Sequence, residues 1–225
     1  MQRRQVTYLL VALMHCGALW SCAAPQPELS RLYKTAESSE LQTPVILVHG
    51  AFGSRLCHAG TGVEVWPGSL SNLLLGNYQA LALPLPGFPQ LDGPDDLIPC
   101  GITNTVAGRD FYGAIEATLT GAGGYQLTTP GTPITGLQRR YYLFTYDWRQ
   151  DNSRNAARLD RLVDQIREDH RNTALQVDIV AHSMGGLITR YWLRYGSADV
   201  LGGNDFPITN TGAGKARRVI LVGTP

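Results

Sequence analysis

Four short runs of the chain are apolar at every position or nearly so: VILV at 45–48, YYLF at 141–144, VDIVA at 177–181 and a second VILV at 219–222. Uninterrupted apolar runs of this length, rich in β-branched and aromatic residues, predict strands covered on both faces. Between them the pattern changes period. In SRNAARLDRLVDQIREDHRN, Leu159, Leu162, Val163 and Ile166 fall at i, i+3, i+4 and i+7 with charges elsewhere, which predicts an amphipathic helix. GGLITRYWLRYG, 185–196, reads as a second helix and FYGAIEATLTGAG, 111–123, as a short one, while 202–214 is a glycine-rich loop. Buried strands alternating with helices imply an α/β fold with a mainly parallel sheet and helices on both faces. Such sheets gather function at the carboxyl ends of their strands. HGAFG, YDWR, HSMGG and GTP all stand there.

Residues 57–110 break the alternation. They are rich in Gly and Pro, show little periodicity, and are long for a plain loop, so they predict a functional insertion such as a lid. Residues 25–43, with Pro, Ser and Glu, read as a tether, and residues 1–24 stand apart from the fold. MQRR is a positive leader, VTYLLVALMHCGALW an apolar segment too short and interrupted for a membrane span, and SCAA a small-residue cleavage zone. LWSC at 19–22 also fits a bacterial lipoprotein box apart from Trp20, so lipidation of Cys22 and ordinary secretory cleavage both stand as expectations. Either way the chain is expected to be exported, as an envelope lipoprotein or a secreted protein.

Export makes disulfides permissible. With Cys16 in the leader and Cys22 at the lipidation site, Cys57 and Cys100 remain, with one pairing available. A bridge would close a loop of about 44 residues, worth about 4 kcal/mol in the chain-entropy model; two free buried thiols are the alternative. The net charge of +1 and the lack of a dense basic block argue against a nucleic-acid partner. The Arg pairs at 139–140 and 217–218 read as strand flanks. Scattered histidines without C-x-x-C or H-E-x-x-H spacing give no metal site, and no cofactor is expected.

The stretch QVDIVAHSMGG carries the chemistry. Around Ser183 it reads A-x-S-x-G, close to the G-x-S-x-G elbow, in which a strand ends, the chain turns sharply and a helix begins. Ala181 and Gly185 are the small residues that relieve crowding around the turn. Ser183 is then a candidate nucleophile. The backbone N–H of Met184 is one candidate oxyanion donor, and that of Ala51, or of Phe52, in HGAFG is the other. A tight strand-to-helix turn and a plain glycine turn are the structural alternatives. In YDWR, Asp147 and Arg149 can pair, with Trp148 either packed structurally or lining an acyl pocket alongside Phe52. Asp147 precedes the serine and is not read as a triad acid.

PVILVHGAFGSRL, Trp66, the Cys57/Cys100 pair, YDWR, AHSMGG and VILVGTP, in this order over roughly residues 43–225, resemble the lecithin:cholesterol acyltransferase family of α/β-hydrolases. YDWR between an aromatic strand and a helix is the most specific piece. His49-Gly50, where eukaryotic members have Pro-Gly, and Ala181 in place of Gly depart from the pattern and loosen the substrate assignment. The resemblance implies that Ser183 takes an acyl group from a lipid ester at a membrane or lipid surface and passes it to water or an alcohol. It also implies that 57–100 is a disulfide-pinned lid or membrane-binding loop. A plain secreted triacylglycerol lipase or esterase is the rival within the class, and a non-catalytic lipid-binding envelope protein the rival outside it.

The family's order places an acid and a histidine after the nucleophile. Asp199 and Asp205 follow Ser183, but no histidine does: His15, His49, His58, His170 and His182 all precede it. His182 is expected to point away from Ser183, His49 to lie by the oxyanion loop, and His170 to sit on an exposed helix end. Residues 44–225 therefore read as an incomplete α/β-hydrolase domain without its C-terminal strands, triad acid and base, and the chain alone is expected to be weakly active or inactive.

Overall fold

The computed structural model describes residues 42–69, 78–84, 95–106 and 109–225. The leader with Cys22 and the tether up to residue 41 lie outside these residues.

The apolar runs form the central layer. Strands β1 (Val45–Val48), β8 (Arg140–Phe144), β9 (Val177–His182) and β10 (Ala216–Val222), with the two-residue β7 (Gln126–Leu127), make a five-stranded sheet in the order β10-β9-β1-β8-β7. Every pairing in it is parallel. β1 lies between β8 and β9, and its Ile46, Leu47 and Val48 are wholly buried. Parallel neighbours need crossover connections, and helices supply them.

The amphipathic segment forms α2 (Asn152–Asp169), started by Asp151, whose carboxylate accepts the Ser153 N–H at 3.0 Å. Leu159, Val163 and Ile166 on its apolar stripe are fully buried and pack with Ile46, Tyr142, Ile179, Ile188 and Trp192. α3 (Met184–Tyr195) follows β9 directly and packs on α2, and Trp192 on its buried face donates its indole N–H to Asp160 at 2.8 Å. The segment 111–123 divides into α1 (Gly113–Ala117) and a π turn, Thr118–Ala122. The glycine-rich loop ends in a short helix, α4 (Thr211–Lys215).

The described residues between 54 and 110 form a sheet of their own, which the sequence pattern did not reveal. β2 (Ser54–His58), β3 (Glu64–Trp66) and β4 (Leu97–Ile102) are antiparallel in the order β3-β2-β4, and β5 (Thr105–Val106) pairs with β6 (Arg109–Asp110). Cys57 on β2 and Cys100 on β4 are joined by a disulfide, with Cα atoms 5.8 Å apart.

Candidate active site

β9 delivers Ser183 to the carboxyl edge of the sheet, and the turn that follows is the expected elbow. Ser183 has φ 52° and ψ −123°, a sparsely populated backbone region for a residue with a side chain, and α3 begins at the next residue. Holding such a conformation costs of order 1–3 kcal/mol and requires surroundings that over-determine it. They do. The Ser183 N–H donates to Val222 O on β10 at 2.9 Å, and its carbonyl accepts the Gly186 N–H at 2.9 Å. The small flanking residues have steric reasons. A Cβ on Gly185 would lie 2.3 Å from His49 O, and Ala181 is fully buried beneath the turn.

The loop after β1 comes up against this turn from the other side. A Cβ on Gly50 would lie 2.9 Å from Ser183 Cβ, so the bare glycine permits the approach of loop and elbow. The loop closes with Gly53 N–H donating to Gly50 O at 3.2 Å, and Phe52 in it takes φ 63°. Beneath it His49 is buried, stacked on the Tyr146 ring at 4.1 Å. One tautomer satisfies all its neighbours: Nδ1–H donates to Gly50 O at 2.7 Å, and Nε2 accepts the Ser54 hydroxyl at 2.5 Å. Ser54 Oγ in turn accepts the Tyr146 N–H at 3.1 Å, and the Tyr146 hydroxyl donates to His49 O at 2.7 Å. Burial lowers the His49 pKa to about 4 against a smaller upward pull from Gly50 O, with the nearby His182 adding to the drop. His49 is a neutral framework residue of the loop.

Phe52 and Trp148, far apart in sequence, meet at 4.5 Å in an aromatic group completed by Trp66 and Tyr78. The Trp148 indole donates to Ser54 O at 3.1 Å and that of Trp66 to Phe52 O at 3.0 Å, while the Phe52 side chain stays about half exposed (52%). In YDWR the Asp147–Arg149 ion pair forms as expected. Arg149 meets both carboxylate oxygens of Asp147, at 3.0 and 2.7 Å, and both side chains are buried. Arg149 also reaches Asp95 of the insertion at 2.7 Å, a partner the sequence did not suggest. An open cleft of about 770 Å³ lies over this pair, bounded by Arg149, Asp95, Leu83, Pro84, Arg154 and Met184, the residue after Ser183.

Among the described residues no side chain hydrogen-bonds Ser183 Oγ, and each described histidine has another partner. The Nδ1 of His182 is 2.9 Å from the Tyr112 hydroxyl. His58 pairs with Asp96 at 2.9 Å on the insertion sheet. His170 departs from its expected exposure: it is half-buried at the end of α2, 3.3 Å from the Tyr142 hydroxyl, because the helix end packs back onto β8. Tyr112 went unnoticed in the sequence. It is buried, its hydroxyl accepts the Gly50 N–H at 2.8 Å, and no periodicity in RDFYG marks it. No group of three or more metal-binding side chains occurs among the described residues.

A parallel α/β sheet, a serine on a strained strand-to-helix turn and a glycine loop against it define a fold of the α/β-hydrolase class. More particularly, residues 136–200, which run from before β8 through YDWR, α2, β9, the elbow and α3 to five residues past its end, match the lecithin:cholesterol acyltransferase family. Over that part of its length the chain is lecithin:cholesterol acyltransferase-like, which points to lipid acyltransferase or lipase-type activity. No curated protein matches the chain.

Proposed function

We propose that this chain carries the nucleophile of a lipid ester hydrolase or O-acyltransferase that works through an acyl-Ser183 intermediate. The observation that carries this reading is the backbone of Ser183 at φ 52° between a buried parallel strand and the first turn of α3. A merely structural turn has no need of a strained serine when glycine would take the conformation freely. Ser183 Oγ adds to the ester carbonyl as its proton passes to a base. The tetrahedral oxyanion then collapses, the alcohol leaves with that proton, and the acyl group passes from serine to water or to a second alcohol.

The N–H groups of Ala51 and Met184 are assigned to the oxyanion. In support, Gly50 N–H is already committed to Tyr112 and Gly53 N–H to Gly50 O, whereas Ala51 N–H and Met184 N–H have no acceptor among the described residues. The exposed Phe52 with Trp66 and Trp148 suits an acyl chain or a lipid surface, in keeping with an exported, lipid-facing protein. His49, His58, His170 and His182 each have another partner, so none of them is assigned as the base for Ser183. In a serine protease, loss of the histidine lowers turnover by about 10⁶. The same occupied histidines favour, as a second reading, a lipid-binding protein that keeps the fold without catalysis.

An activated acyl ester offered with and without imidazole separates the two. On the catalytic reading, imidazole replaces the missing base and speeds acylation at least roughly tenfold. The acyl group then maps to Ser183 by peptide mass and is absent in Ser183→Ala. Acylation that is unaffected by imidazole, or that persists in Ser183→Ala, would support the non-catalytic reading.

A further inference from the structure

We propose that Tyr112 is a positioning residue that ties the oxyanion loop to the nucleophile turn. The inference rests on the acyl-Ser183 reading. The Tyr112 hydroxyl lies at the junction of the two segments, accepting the Gly50 N–H at 2.8 Å and standing 2.9 Å from His182 Nδ1. The hydroxyl oxygen accepts from Gly50 N–H, and we assign its proton to His182 Nδ1, an arrangement that leaves the ring proton of His182 on Nε2. One hydroxyl therefore joins the residue before Ala51 to the residue before Ser183. Its ring packs edge-on to both His49 and His182, at 6.4 and 5.8 Å, and is 4% exposed.

The consequence is directional. Were Gly50 N–H unpaired, the loop would have two adjacent donors competing for the oxyanion and no tether to the elbow. With Tyr112 in place, Gly50 is committed and the turn is pinned, so the N–H of Ala51 is the one presented. The tether comes from the insertion. Tyr112 follows β6, and the same chain passes the loop where Thr103 N–H donates to Gly53 O at 2.8 Å. The returning arm of the disulfide-bearing segment thus grips the 49–53 loop at both ends, so the geometry at Ser183 depends on a residue some 70 positions upstream.

Tyr112→Phe keeps the ring and removes the tie. The expected result in the full chain is a folded protein with three changes. The Gly50 amide exchanges faster with deuterium while the β1 and β9 amides do not. The His182 ring nitrogens lose their single-tautomer 15N signature. Fluorophosphonate labelling of Ser183 in the presence of imidazole slows roughly tenfold, within what a displacement of up to 1 Å can cost. Should the variant not fold, His182→Phe carries the test, since it removes one anchor of the hydroxyl and is expected to slow labelling while leaving the Gly50 amide protected. Unchanged labelling in either folded variant, or a Gly50 amide unaffected by Tyr112→Phe, would overturn the proposal. A wild-type chain that never labels at Ser183 even with imidazole would instead overturn the acyl-serine reading, and the exchange and tautomer measurements would still report on the tie.

Discussion

The tetrapeptide VILV occurs twice in this chain, and its two copies live in opposite surroundings. In β1 it is bonded on both sides and covered by helices, with relative exposures of 6, 0, 0 and 0%; in β10, Ile220, Leu221 and Val222 are 57, 43 and 44% exposed. Both copies are strands, both run parallel to β9, and both lead into a glycine turn that bears on Ser183. The local pattern therefore sets the element and its direction, while burial depends on how many neighbours the element has. β10 bonds only β9 among the described strands, and its bare apolar face is the kind of edge that invites association.

The sharpest way to break this contrast is to truncate the same residue in each copy. Leu47→Ala should cost about 4 kcal/mol in urea unfolding, since it opens a cavity in a site closed on all sides. Leu221→Ala should cost less than about 1 kcal/mol. Equal losses would mean that β10 is covered in solution.

The ion pairs repeat the contrast. Asp147–Arg149, at the end of β8, has both side chains only 4% exposed, whereas Arg217 of the pair between β10 and β9 is 43% exposed. Asp147→Ala should destabilise by about 3 kcal/mol because a buried guanidinium loses its main partner. Arg217→Ala should cost less than about 1 kcal/mol.

The loop after β1 adds a pH dependence. Burial lowers the His49 pKa to about 4, while the unfolded chain titrates near 6.5. Between those values the unfolded state binds the proton that the folded state refuses, so stability is lost as pH falls through this window. The full effect is about 3 kcal/mol. Urea midpoints at pH 7 and 4.5 should differ more for the wild type than for His49→Gln.

The smallest difference is expected at the glycines of the two turns. Gly185→Ala would push a Cβ into β1 at His49 O and should cost about 2 kcal/mol by overpacking. Gly223→Ala, which has room but sits at φ 57°, should cost about 1 kcal/mol.

What was legible in the sequence follows the same division. The runs that became β1, β8, β9 and β10, the stripe of α2 and the elbow at Ser183 announce themselves because local patterning and tertiary role agree there. The Cys57–Cys100 bridge was legible from arithmetic on four cysteines. The β2–β4 sheet was not, because its short strands are interrupted by Pro99 and Gly101 and carry no clean alternation. Tyr112 and Asp95 were missed for another reason. Each acts through one long-range contact, to Gly50 and to Arg149, and such a contact leaves no periodic trace. His170 was misplaced because a helix end that looks polar can still fold back against the sheet.

Fluorophosphonate labelling of the 225-residue chain without added base, followed by peptide mapping, tests the central claim most directly. The expected result is a slow reaction whose adduct maps to Ser183 and disappears in Ser183→Ala. Rapid labelling at Ser183 would show that a base within these residues already serves it, and labelling at another residue in a folded chain would show that the elbow does not hold the nucleophile.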